Sequence, residues 1–166
     1  MKSKKLTLGL LIFYLVALTW IIVLKMQFPF SGNLPELRNI NLIPFGGSLI
    51  VNGEVSFSEI IKNVLVFIPF GILISLLWER KSFVQKILPI VLTSFIFETL
   101  QFIFEIGASD ITDIISNSFG GVIGIVITGV ISKIFKNNWQ KIINIISLVG
   151  CIILTLFVAM LILANL

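Results

Sequence analysis

A polytopic all-α bundle of membrane-spanning helices is the fold class this sequence predicts, and three observations carry it. Of 166 residues, 57% are hydrophobic and only 12% charged, with a mean hydropathy of +1.12, more apolar surface than a soluble core of this size can hide. Five apolar segments are long enough, or nearly so, to cross a hydrocarbon layer that takes about 20 helical residues. Basic residues gather in short clusters between those segments. No polar linker, low-complexity tract or internal repeat divides the chain, so a single membrane domain over 1–166 is expected.

The first span is expected over about 6–24. It follows MKSKK as a secretion signal would, but it is longer than a signal core and no small-x-small cleavage site follows, so it reads as a retained helix. The connection over about 25–59 carries NLIPF, Asn41 to Phe45, then Gly46 and Gly47, then SLIVNGEVSF. There Asn52-Gly53 lies between short β-prone runs, a hairpin signal because a type I′ turn needs positive φ at both positions. The NLIPF side chains are expected in the headgroup region or the helix bundle. The second span, about 60–78, contains Pro69, which removes one backbone hydrogen bond and predicts a kink. The third, about 87–106, and fourth, about 111–132, are joined by a short turn; the fifth covers about 142–164.

If the spans alternate, Lys2, Lys4, Lys5, Arg80, Lys81, Lys86, Lys133, Lys136 and Lys141 fall on one side, nine of the twelve basic residues. Lys25, Arg38 and Lys62 fall on the other with Glu36, Glu54, Glu59, Glu105, Asp110 and Asp113. The positive-inside rule then predicts a multi-pass membrane protein, its N-terminus cytoplasmic, its long loop and C-terminus extracellular. That placement explains the net charge of +4 without nucleic acid, which is not expected as a partner. One cysteine, Cys151, allows no intrachain disulfide and reads as a small buried hydrophobe, and the absence of histidine removes His-based triads and His/Cys zinc sites.

Polar residues inside the spans mark the candidate site. Glu98, Gln101 and Glu105 stand at i, i+3, i+7 and line one stripe of the third span. A charge at that depth costs on the order of 3 kcal/mol even on lenient scales, so the stripe should face the bundle. Asp110, Asp113 and Asn117 repeat the spacing at the start of the fourth span, on the same outer side. Asp110 is also a candidate N-cap accepting from the Asp113 amide, with Asp113 complementing the helix dipole. Glu59, Lys62 and Asn63 open the second span; Lys62 either pairs with a carboxylate or snorkels to water. Gly71, Gly120, Gly121 and Gly124 read as close helix contacts.

The ordered set of NLIPF, Asn63 with FIPFG, Glu-x-x-Gln at Glu98 and Gln101, and Asp-x-x-Asp-x-x-x-Asn followed by glycine resembles the VanZ-like family of small bacterial membrane proteins. The resemblance covers about 41–124, with Asn41, Pro44, Phe45, Asn63, Pro69, Gly71, Glu98, Gln101, Asp110, Asp113, Asn117 and Gly120 as the matching positions. It implies an association with low-level resistance to teicoplanin, a lipid-bearing glycopeptide antibiotic. Many relatives carry an arginine just ahead of the first aspartate; here that region is Gly107, Ala108, Ser109, which puts any anion-holding role of that arginine in doubt.

Two functional classes follow. In the first, Asn41, Asn63, Glu98, Gln101, Asp110, Asp113 and Asn117 form an outer-facing polar cavity that binds a lipid-linked envelope precursor or lipoglycopeptide without chemistry. In the second, an intramembrane hydrolase or transferase acts on lipid-linked glycan or phospholipid headgroups, with Glu98 as general acid or base and Asp110 and Asp113 as ligands for a divalent cation such as Mg²⁺. No other cofactor is expected. A third reading has the polar stripes only gluing helices in a structural subunit.

Overall fold

The structure, a computed structural model, describes residues 4–23, 40–45, 50–51, 54–55, 57–104 and 109–164. The Asn52-Gly53 turn, Gly46 and Gly47, Glu105 and the Gly107-Ala108 pair lie outside the described residues, as do Lys2, Lys25, Glu36 and Arg38. Helix α1 (Lys4–Leu18) continues into a π-helical turn (Thr19–Val23). Strands β1 (Ile40–Asn41), β2 (Ile50–Val51) and β3 (Glu54–Val55) follow, then α2 (Ser58–Leu77) and α3 (Phe83–Ile103). Strand β4 (Ser109–Asp110) leads into α4 (Ile111–Phe135), a 3₁₀ turn (Lys136–Asn138) and α5 (Trp139–Ala164). β1 pairs in parallel with β4, and β2 pairs antiparallel with β3.

Four helical stretches among the described residues are long and apolar enough to cross a bilayer: Lys4–Val23, Ser58–Leu77, Phe83–Ile103 and Ile111–Met160. The last, 50 residues, would reach about 75 Å if straight, far beyond a hydrocarbon core of about 30 Å. It doubles back instead at the 3₁₀ turn, where Lys136 takes a positive φ of 40°. α5 runs parallel to α1: Thr7 Oγ1 donates to Asn144 Oδ1 at 3.0 Å near the start of both, and Phe13 to Trp20 flank the same groove as Leu154 to Ala159 further along.

The helix bounds depart from expectation where local chemistry was overlooked. α3 begins at Phe83 rather than 87 because Ser82 and Gln85 form a reciprocal capping box, each side chain bonded to the other's amide. Its last turn closes at Phe104, whose N–H donates to the Leu100 carbonyl, so α3 stops short of 106. α4 continues to Phe135, past the expected 132, and α5 starts at Trp139, ahead of 142, leaving only the 3₁₀ turn between them.

Glycine sets the closest helix contact. A Cβ added at Gly120 would overlap the Val64 carbonyl, one at Gly124 the Ile68 carbonyl, and one at Gly71 the Gly121 backbone. α2 and α4 therefore touch backbone to backbone, the arrangement small-xxx-small spacing permits where lipid offers no hydrophobic drive between helices. Beside that seam Phe67, Phe70 and Leu73 of α2, Leu18 of α1 and Ile90 of α3 are buried, with Phe67 edge-on to Phe70 and Phe97 at 5.9 and 6.3 Å between ring centres. Outward faces carry exposed Val84, Leu88, Leu92, Ile146, Ile153 and Phe157, a surface suited to a hydrocarbon solvent.

Candidate functional site

The site begins with Asp110, which ends β4 in extended backbone and caps α4. Its Oδ1 accepts the Thr112 N–H at 2.7 Å, and its Oδ2 accepts Asn41 Nδ2 at 3.0 Å. The cap bond therefore goes to the second helical amide, Thr112, and not to Asp113 as expected; an N-cap side chain reaches either. Asp110 also donates its own N–H to Glu98 Oε2 at 2.9 Å, which fastens the β4 turn onto α3.

Asn41 holds the long loop against this cap. Besides bonding Asp110, its Oδ1 accepts the Ile43 N–H at 3.1 Å, turning the chain tightly. Phe45, at φ 62°, then donates its N–H to Thr112 Oγ1 at 3.1 Å. The backbone of NLIPF is docked while Leu42, Ile43 and Phe45 point outward, 71%, 70% and 47% exposed. Of the two expected environments for these side chains, the helix bundle is therefore excluded.

One turn into α4, Asp113 Oδ1 accepts Asn63 Nδ2 at 2.7 Å, joining α4 to α2. Two turns in, Asn117 Nδ2 donates to Ser94 Oγ at 3.0 Å, joining α4 to α3. Gln101 turns away from the aspartates: its Nε2 donates at 2.8 Å to the Ile22 carbonyl, at the end of the π turn where helix carbonyls lack partners of their own. Glu98 is 2% exposed, Gln101 4% and Asn117 0%, so the stripe faces protein and not lipid. Gln101 Oε1, Asn117 Oδ1 and Ser118 Oγ are buried with no hydrogen-bond partner among the described residues. Asp113 and Asn41 are half-exposed and form the rim of the cluster.

The predicted residues thus fall into three connected groups: Asn41, Glu98 and Asp110; Asn63 with Asp113; and Asn117, deeper, with Ser94. Lys62 is exposed and makes no ion pair among the described residues. Ser94 and Thr112 were not anticipated. Ser94 stands four residues before Glu98 and extends its stripe by one turn, a signal present in the sequence; the acceptor role of Thr112 depends on a loop 67 residues away and left none. Both Asp110 oxygens already accept hydrogen bonds, and among the described residues no group of three or more His, Cys, Asp or Glu could hold a metal ion.

The VanZ/LLP1 family model matches residues 11–136, well over half of the chain. Protein VanZ of Enterococcus faecium is 37% identical over 155 residues, covering 93% of this chain and 91% of that protein. No solved structure matches. The match to the family model, together with a relative of this identity aligned along nearly the whole length, means that the chain belongs to the VanZ/LLP1 family.

Proposed function

We propose that this protein crosses the bacterial cytoplasmic membrane five times, N-terminus inside and C-terminus outside, and contributes to resistance against teicoplanin-type lipoglycopeptides without chemistry. The rim of Asn41 and Asp113, backed by the buried Asn63, Glu98, Asp110 and Asn117, receives the amide- and hydroxyl-rich portion of a lipid-bearing or lipid-linked ligand while its acyl tail stays in the bilayer, and the occupied state lowers antibiotic capture at the cell surface. The observation that carries this is the gathering of polar side chains from α2, α3, α4 and the long loop at one end of an otherwise apolar bundle, buried at its base and half-exposed at its rim. Such residues inside spans are costly, and a ligand site is their ordinary reason for being there.

Binding fits the geometry better than turnover. Glu98 accepts a backbone amide and Asp110 caps a helix, so both carboxylates hold structure in the ground state. The test is expression in a teicoplanin-susceptible bacterium, with a fluorescent teicoplanin analogue read at the cell surface. Lower surface labelling and lower susceptibility are expected together. Unchanged labelling with unchanged susceptibility defeats the proposal, and turnover of a membrane lipid by the purified protein would favour the intramembrane enzyme.

A further inference from the structure

At the opposite end of the bundle, the end of α2, the start of α3, the end of α4 and the start of α5 border an open cavity of about 390 Å³. Ser75, Glu79, Lys86 and Ser132 give it polar walls, and Ile125 and Trp139 apolar ones. Lys86 is half-buried, and its ammonium donates at 3.2 Å to the hydroxyl of Ser75, itself only 3% exposed. An ammonium has three N–H groups, so one bond leaves two for another acceptor. Glu79 receives the side-chain amide of Gln140 at 2.7 Å, which leaves further lone pairs on its carboxylate.

Lys86 and Glu79 line one cavity, yet neither makes an ion pair among the described residues. Opposite charges kept apart in a shared hollow complement a molecule that carries both signs. The hydroxyls sort the same way. Thr128 and Ser132 donate to the Gly124 and Gly129 carbonyls of their own helix, at 2.9 and 2.7 Å, so they meet the cavity as acceptors. Ser75 accepts from Lys86 and keeps its O–H to donate. Donors therefore collect at Lys86 and Ser75, acceptors at Glu79, Thr128 and Ser132. Outside, Val84 of α3 and Val130 and Ile134 of α4 are more than half exposed, an apolar bed for hydrocarbon chains, and Trp139 is of the type that settles at a headgroup boundary.

We infer that this cavity binds the zwitterionic headgroup of an aminophospholipid, with the phosphate at Lys86 and Ser75 and the amine at Glu79. The exposed Arg80, Lys81, Lys133, Lys136 and Lys141 nearby attract any anionic lipid, but they do not line the cavity and do not select between headgroups. This site is separate from the carboxylate cluster and independent of what that cluster binds.

The test is native mass spectrometry of the purified full chain in detergent, offered phosphatidylethanolamine and phosphatidylglycerol at equal concentration, with chain-free phosphoethanolamine as competitor. Wild type is expected to retain phosphatidylethanolamine about ten-fold better than phosphatidylglycerol, the difference one charge-assisted hydrogen bond makes. Lys86→Met lowers that retention about ten-fold and Lys86→Arg restores it, while Glu79→Gln abolishes the preference between the two lipids. Lys81→Met changes neither. Equal retention of both lipids by wild type overturns the inference, as does a Lys81→Met effect matching that of Lys86→Met. Phosphoethanolamine competing as well as intact lipid overturns the lipid as its source and leaves a soluble phosphorylated amine. Unfolding temperatures without lipid identify any variant that fails to fold; if Lys86→Met does, Lys86→Arg and Glu79→Gln decide the outcome.

Discussion

Asp113 and Asn63 are hydrogen-bonded across the α2–α4 seam at 2.7 Å, and the strength of that bond sets what each residue does alone. A hydrogen bond to a charged group contributes about 1.5–3 kcal/mol in soluble proteins, whereas those between membrane helices average about 0.6 and reach about 1.7. A double-mutant cycle of Asn63→Ala and Asp113→Ala, read by detergent-induced unfolding, should give a coupling of about 0.6–1.7 kcal/mol, the membrane range, because the unfolded chain in a micelle also finds partners. A coupling near zero would mean that the 2.7 Å contact holds nothing. Much of this cluster was legible in the residues: a carboxylate and an amide one turn apart inside an apolar run have to point inward, and Glu98 and Gln101 do. The destination of each was not legible. Gln101 reaches a carbonyl exposed by a π turn in α1, and nothing in its own stripe of α3 encodes that turn.

The α2–α4 pair is the element on which the site is mounted, since Asn63 and Asp113 meet only if those helices lie backbone to backbone. Gly120→Val places a branched side chain against the Val64 carbonyl and should destabilise the protein by about 1–3 kcal/mol, the ordinary cost of overpacking, while separating Asn63 from Asp113. Gly150→Ala in α5, where an added Cβ meets nothing within 4 Å, should leave stability unchanged or slightly raised. Thermal unfolding of both variants checks the contrast; equal effects would show that the seam is not where the pairing is decided. Here the sequence was nearly sufficient, because glycine at four-residue spacing has few other uses in a span. The start of α3 was missed for a smaller reason: Ser82 and Gln85 spell a capping box, but Lys81 and Lys86 around them read as a polar connection.

For the whole molecule, the Arg80, Lys81, Lys133 and Lys136 end carries the lysine-lined cavity and the other end carries the carboxylates. That polarity fixes a testable orientation. In a Cys151→Ala background, Leu42→Cys should react with a membrane-impermeant thiol reagent on intact cells, while Lys81→Cys and Lys136→Cys should react only after permeabilisation. The reverse pattern would turn the carboxylate cluster toward the cytoplasm and remove it from any antibiotic at the surface. Hydropathy made a largely helical chain with long apolar stretches legible, because bilayer thickness constrains segment length strongly. That α1 and α5 lie side by side needed coordinates, since the Thr7 to Asn144 contact joins residues 137 positions apart.

Teicoplanin susceptibility of cells carrying Asp113→Asn or Glu98→Gln, at protein abundance matched to wild type, tests most directly whether the buried cluster holds a ligand. Susceptibility should return to that of cells without the protein for both variants. Wild-type resistance in both, at equal abundance, would reduce these carboxylates to helix glue.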